Sequence, residues 1–183
     1  MRKITAGLFI SLDGVVEAPD QWHFPYFNDE MGAVVGKSMS ETGTMLLGRQ
    51  TYQEFASFWP NQNSDDPIAA QMNGTPKLVA STTLDSVEWE NSTLIKGNVA
   101  EELRKLKAQP GQNIGITGSA TLIRSLLRDG VLDELTLLVH PIIVGKGKKL
   151  FDDMEAQVPL KLIDSQTFST GVLALVYAPA PRD

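Results

Sequence analysis

Short apolar runs alternate along this chain with stretches in which apolar residues return every third or fourth position. Ile4, Ala6, Leu8 and Ile10 share one side of an alternating run over residues 3–12, with Phe9 on the other side, and Asp13-Gly14 breaks it. Strict alternation of this kind predicts a strand. Met31, Val34, Val35 and Met39 recur at helical spacing and predict a helix near residues 28–41. Residues 44–48 read as a short apolar strand, followed by a helix with Tyr52, Phe55 and Trp59 on one stripe. Residues 61–67 read as a polar loop, and further strands are expected at 77–81, 87–89 and 93–95. Asn98-Val99-Ala100-Glu101 is a capping-box pattern that opens a helix burying Val99, Leu103 and Leu106, and Pro110-Gly111 stops that helix. A strand at 113–117 leads into a helix with Leu122, Ile123, Leu126 and Leu127 inward and Gly130 as its C-terminal cap. Residues 135–139 form an apolar strand. Residues 160–168 and 172–178, around Ser169-Thr170-Gly171, read as a long hairpin.

Strands alternating with helices predict right-handed crossovers and a mostly parallel sheet with helices on both faces, and a closing hairpin makes that sheet mixed. The expected class is therefore α/β. At 183 residues the chain suits one domain rather than two. Sixteen basic against 22 acidic residues give a net charge of −6, with no Lys/Arg run of the kind that grips a nucleic-acid backbone. The absence of cysteine excludes disulfides, thiolate catalysis and cysteine-held zinc. The two histidines, His23 and His140, form no metal-binding pair, so no metal is expected. The first residues run directly into a strand and no segment is long and apolar enough to span a bilayer, so the expected location is the cytoplasm.

Ligands of open α/β sheets bind beyond the carboxyl ends of the strands. Three such ends carry suggestive residues here: Gly48-Arg49-Gln50-Thr51, Ser81-Thr82-Thr83 and Thr117-Gly118-Ser119-Ala120-Thr121. Arg49 is placed to pair with a phosphate, and Thr51 to cap the following helix. Gly118 would let backbone approach a ligand, with unpaired N–H groups and a positive dipole end in the helix that follows. Each motif alone is ordinary punctuation; together they favour a nucleotide. The dinucleotide Gly-x-Gly-x-x-Gly and Walker-type signatures are absent, as is the Gly-x-Ser-x-Gly elbow of a hydrolase. Gly145-Lys146-Gly147-Lys148-Lys149 reads as a solvated basic turn. Residues 13–30 are the candidate substrate wall. Trp22, Phe24, Tyr26 and Phe27 would either line a slot for a planar heterocycle or plug one end of the sheet, and Asp13, Asp20, Asp29 and Glu30 could bond ring nitrogens.

The ordered set Phe9-Ile10-Ser11-Leu12-Asp13-Gly14, Leu46-Leu47-Gly48-Arg49-Gln50-Thr51, Ile116-Thr117-Gly118-Ser119 and Asp133-Glu134-Leu135, followed by His140-Pro141, Gly145-Lys146-Gly147 and Leu150-Phe151, spans nearly the whole chain. It resembles the dihydrofolate-reductase-like superfamily, closest to the branch holding the reductase domain of the bifunctional riboflavin-biosynthesis deaminase/reductase. The resemblance implies a three-layer αβα domain and NADPH as hydride donor. It assigns Arg49 and Thr51 of the Gly48 turn to the adenosine-side phosphates, Ser81 and Thr82 to the adenosine, and Thr117, Gly118, Ser119 and Ala120 to the pyrophosphate. Asp13 and Gly14 would border the nicotinamide and substrate, beside the wall of Trp22, Tyr26 and Phe27. The expected reaction is hydride transfer to a C=N or C=O carbon of a small pterin- or ribosylamino-pyrimidine-type heterocycle. The proton would come from Asp13, Asp29, Glu30 or a bound water. The reading from another class is a dinucleotide- or small-molecule-binding protein of the same fold without turnover. The terminal hairpin, and the habit of relatives in this branch, predict a homodimer.

Overall fold

The computed structural model describes residues 1–181. Its strands are β1 (Ile4–Ser11), β2 (Thr42–Gly48), β3 (Lys77–Ala80), β4 (Ser92–Ile95), β5 (Asn113–Gly118), β6 (Glu134–His140), β7 (Leu160–Thr167) and β8 (Leu173–Pro179). They form one sheet in the order β4-β3-β2-β5-β1-β6-β8-β7. Every pairing from β4 across to β6 is parallel; β8 runs antiparallel to β6, and β7 to β8.

The period-two pattern divides the sheet's side chains between two helical layers. Ile4, Ala6, Ile10, Leu46, Ile116 and Leu137 pack with Leu103 of α4 (Val99–Lys107) and Ile123, Leu126 and Leu127 of α5 (Ala120–Arg128). Residues one position away face the opposite side. Leu138 meets Met31 of α1 (Asp29–Glu41), with Phe9 against the same cluster, and Leu47 meets Tyr52 of α2 (Arg49–Phe58). The handedness of parallel crossovers explains the split: connections that move toward β4 pass on one face, and those that move toward β6 on the other.

Two expectations are corrected between β2 and β4. Beyond the expected polar loop lies a further helix, α3 (Pro67–Gly74), with Asp66 accepting from the N–H of Ile68, a proline in the first turn and Ala69 buried. Its signals are those of any helix start, in too short a segment for periodicity to reveal. The predicted strand at 87–89 does not form, because the N–H groups of Glu88 and Trp89 donate to the Tyr52 hydroxyl and not to a neighbouring strand. Lys77 on β3 is 1% exposed; its ammonium donates to the carbonyls of Met72, Asn73 and Thr75 at the end of α3 and lies 4.1 Å from the Trp89 ring centre. Burial pushes its pKa down to about 8. At the other edge, β7 is exposed from Lys161 through Thr167, including Leu162 and Ile163. No helix among the described residues is long and apolar enough to cross a membrane.

Candidate active site

The predicted site residues lie along the carboxyl edge of the parallel strands, in the order that the sheet imposes. At the β2–β3 end, α2 starts at Arg49 with Gly48 as its N-cap and no side chain capping it. The other four α-helices among the described residues are each capped by a side chain: Asn28, Asp66, Asn98 and Ser119. The first N–H groups of α2 are therefore free of a side-chain acceptor, at the positive end of the helix dipole. Thr51 does not cap the helix, as the sequence suggested, because the helix has already begun two residues earlier. Arg49, exposed, lies at a cleft of about 420 Å³ walled by Ala80, Ser81, Thr82, Thr83, Ile95, Gly97 and Val99. Ser81 is nearly buried and its hydroxyl accepts from the N–H groups of Thr83 and Leu84, so it shapes the wall, while Thr82 and Thr83 are exposed on it.

The glycines of the two adjacent turns also let those turns pack against each other. A Cβ at Gly48 would stand 2.8 Å from Ser119 Oγ, and one at Gly118 would stand 2.7 Å from Thr51 Oγ1. The space beside each glycine is filled by the neighbouring turn. Their smallness lets the ends of β2 and β5 lie against each other, which brings Arg49 beside the start of α5. Ser119 caps α5 by accepting from the N–H of Leu122, Ala120 opens that helix, and Thr117 is exposed.

Past β1 the carboxylates are already engaged. Asp13 accepts from the Ser11 hydroxyl at 2.6 Å and from the N–H groups of Gly145 at 2.9 Å and Val144 at 3.1 Å. These donors, the serine first, hold its pKa down to about 2. Gly14 follows at φ +89°, with open space where a side chain would be. Glu30 accepts from the N–H of Ser169 and from the Asn28 amide, tying α1 to the hairpin turn, and the Ser169 donor lowers its pKa. Asp29 is exposed in the first turn of α1.

The aromatic segment gathers round His140. Trp22, Tyr26, Phe9 and His23 present their rings to it at centre distances of 5.1, 5.6, 5.6 and 6.1 Å, and His23 stacks on Phe9 at 4.4 Å. Trp22 is 7% exposed, and its indole N–H donates to the Glu17 carbonyl. Trp22 and Tyr26 thus form a plug at the end of β1 and β6, whereas Phe24 and Phe27 are exposed. Both histidines are buried. His140 Nδ1 pairs with the Leu138 carbonyl, while His140 Nε2 and His23 Nδ1 have no hydrogen-bond partner among the described residues. Burial lowers both pKa values, against the opposing pull of the Leu138 carbonyl on His140.

Sequence reasoning missed Ile95, Gly97 and Val99 as cleft walls, although Gly97-Asn98 is the same strand-to-helix punctuation that marked the other ends. It also missed His140 as the centre of the aromatic cluster, since a lone histidine before a proline carries no signal. An exposed guanidinium, uncapped first-turn N–H groups and two exposed threonines around a cleft fit a nucleotide phosphate and sugar. No cluster among the described residues could hold a metal ion.

The sheet order and helical layers are those of the dihydrofolate-reductase-like αβα fold. The dihydrofolate reductase of Enterococcus faecalis, solved with NADP(H), superposes with a TM-score of 0.60 at 15% identity over 96% of this chain and 93% of that one. A Shewanella sp. PV-4 protein assigned by name to riboflavin biosynthesis matches with a TM-score of 0.78 at 22% identity, covering 98% and 99% of the two chains. YyaP of Bacillus subtilis (strain 168), itself uncharacterized, is 30% identical over 180 residues, 96% of this chain and 94% of its own. The model of the RibD C-terminal domain matches residues 2–174, and the chain belongs to that family.

Proposed function

We propose that this protein is an NADPH-dependent reductase acting on a C=N or C=O carbon of a small heterocycle of the pterin or ribosylamino-pyrimidine type. The observation that carries this reading is the cleft at the ends of β3 and β4, with Arg49 at its mouth on the one α-helix among the described residues that lacks a side-chain N-cap. Family membership supports the reductase class. Arg49 holds the adenosine-side phosphate, Thr82 and Thr83 meet the sugar, and the turn from Gly118 to Ala120 borders the pyrophosphate. The nicotinamide supplies the hydride, and the chain contributes orientation and exclusion of water beside Gly14. Asp13 is ionised and saturated with donors, so it braces the turn. Glu30 is engaged through Oε1 alone, so the proton source is Asp29, the free oxygen of Glu30 or a bound water.

Isothermal titration of wild type and Arg49→Leu with both cofactors tests this. Losing a charge-assisted contact of ~1.5–3 kcal/mol weakens NADPH roughly 10- to 150-fold, while NADH, lacking the 2′-phosphate, changes far less. Equal losses for the two cofactors, or none, would remove Arg49 from the site. The engagement of Asp13 and Glu30 also favours a second reading, a cofactor-binding protein without turnover. That reading stands if NADPH binds but is oxidised with no member of a pterin and ribosylamino-pyrimidine panel. The reading includes a homodimer through the exposed β7 edge, supported by Leu162 and Ile163. Light scattering should return twice the chain mass, and a monomer at high concentration rejects it.

A further inference from the structure

The lysine-rich loop after β6 is the sequence motif that the proposed function leaves unused, and its backbone is fixed from three directions. Asp13 accepts from the N–H groups of Val144 and Gly145, and Glu17 accepts from that of Lys148 at 3.0 Å. Residues 14–16 and 148–150 form a short antiparallel pairing through Val15 and Lys149. Arg124 of α5 donates to the carbonyls of Lys149 and Leu150. Gly147 stands at φ +122°, where a Cβ would be 2.9 Å from Val15 Cγ1, so the chain passes this point only as glycine. This much anchoring around exposed lysines exceeds what a solvated turn requires.

From this platform the Lys148 ammonium reaches Gln50 Oε1, 3.4 Å away in the first turn of α2. The loop belongs to the α5 layer, where Leu150 is buried in the core with Ile123, while α2 lies in the opposite layer. The strand order places β5 between β1 and β2. The Lys148 side chain therefore crosses the strand edge at the Gly118-Ser119 turn, from one layer to the other. Around it are Arg49 and the starts of α2 and α5. The Glu54 carboxylate holds the far side of the Gln50 amide and Glu17 holds the Lys148 backbone N–H, but Lys148 forms no ion pair among the described residues. An ammonium next to an exposed arginine and an uncapped helix start, held only by a neutral amide at long range, is free to take an anion.

We infer that Lys148 is a strap for the dinucleotide pyrophosphate, exchanging Gln50 for a phosphate oxygen when the cofactor binds. The inference rests on the cofactor reading above but assigns a residue to a different group. Arg49 reads the 2′-phosphate found only in NADPH, whereas Lys148 meets the pyrophosphate that NADPH and NADH share.

Isothermal titration with both cofactors, at low and moderate salt, separates the two roles. Lys148→Gln should weaken NADPH and NADH alike by about tenfold and flatten the salt dependence of both. Lys148→Arg should restore binding, and Lys146→Gln should stay within about twofold of wild type, as an exposed lysine without a partner does. An unchanged thermal midpoint for each variant shows that the platform is intact. A loss confined to NADPH, no loss at all, or an equal loss from Lys146→Gln overturns the assignment of Lys148 while leaving the cofactor reading in place. A wild type that binds neither cofactor overturns both.

Discussion

The two ends of the strand edge are built on opposite plans. At the β2–β3 end, polar groups face outward: an exposed arginine, a helix start that no side chain among the described residues caps, and two exposed threonines beside an open cleft, of which Thr83 pairs only with the Ser81 hydroxyl at 3.4 Å. At the β1–β6 end, the polar groups face one another. Asp13 accepts from the Ser11 hydroxyl and two N–H groups, Glu30 accepts through Oε1 from Ser169 and Asn28, and two histidines are sealed under aromatic rings. The first end has binding capacity to spare. The second uses most of its polar groups to hold its own loops in place. Residue type alone does not distinguish the two, because a carboxylate beside a strand end is equally a catalytic acid or a staple until its partners are known.

The comparison breaks most readily in the aromatic segment, where the largest effect is expected. If residues 15–27 are a plug, Trp22→Ala removes a buried indole and its hydrogen bond to Glu17, and unfolding by denaturant should show a loss of about 3–5 kcal/mol. Phe24→Ala, at a ring 64% exposed, should change stability by less than about 0.5 kcal/mol. Comparable small losses for both would mean that the segment is a loose lid and that the end near β6 opens as a slot.

That contrast also marks what the sequence made legible. Alternation in β1 and helical spacing in α5 revealed the architecture because each repeats a burial pattern several times. The four residues Gly48 to Thr51 were legible as a strand-to-helix turn, and the structure puts Arg49 at a cleft. What stayed hidden depends on partners distant in the chain. Glu30 meets Ser169, Asp13 meets Val144 and Gly145, and Gly118 makes room for Thr51. Such pairings leave no periodicity, so the sequence carries no sign of what braces the carboxylates or of what fills the space beside Gly118. The aromatic run posed the same difficulty: slot and plug share a composition and differ only in whether His140 lies beneath.

A smaller effect is expected from the sealed histidines. Burial lowers both pKa values below the ordinary 6.5, so the unfolded chain takes up protons that the folded chain refuses. Stability is therefore complete above about pH 6.5 and declines as pH falls below it, with a slope of up to about 1.4 kcal/mol per pH unit for each proton involved. His23→Phe keeps a ring against Phe9 and removes an unpartnered buried nitrogen. Denaturant midpoints between pH 6.5 and 5, above the range where ordinary carboxylates titrate, should fall less steeply for this variant than for wild type. Parallel slopes would mean that His23 is hydrated and that this end is open after all.

The smallest change in overall stability, and the one that bears most directly on mechanism, is expected at Asp13. Its ordinary pKa of 3.8 is lowered to about 2 by the Ser11 hydroxyl and the N–H groups of Gly145 and Val144. A depressed carboxylate stabilises the fold fully above the unfolded value and loses that contribution as pH falls through the folded one, so its window runs from about pH 4 down to about pH 2. Asp13→Asn keeps one carbonyl acceptor but turns an N–H₂ group toward a backbone donor. The 144–149 loop should loosen locally, with faster amide exchange at Val144 and Gly145, while the midpoint at neutral pH moves little and the acid slope between pH 4 and 2 becomes shallower. Any turnover measured with a reducible substrate should keep the wild-type pH profile at reduced rate, because a brace shifts geometry without supplying the proton. A variant with unchanged amide exchange but no turnover would make Asp13 the acid, and the β1–β6 end would then be as chemically active as the end that holds Arg49.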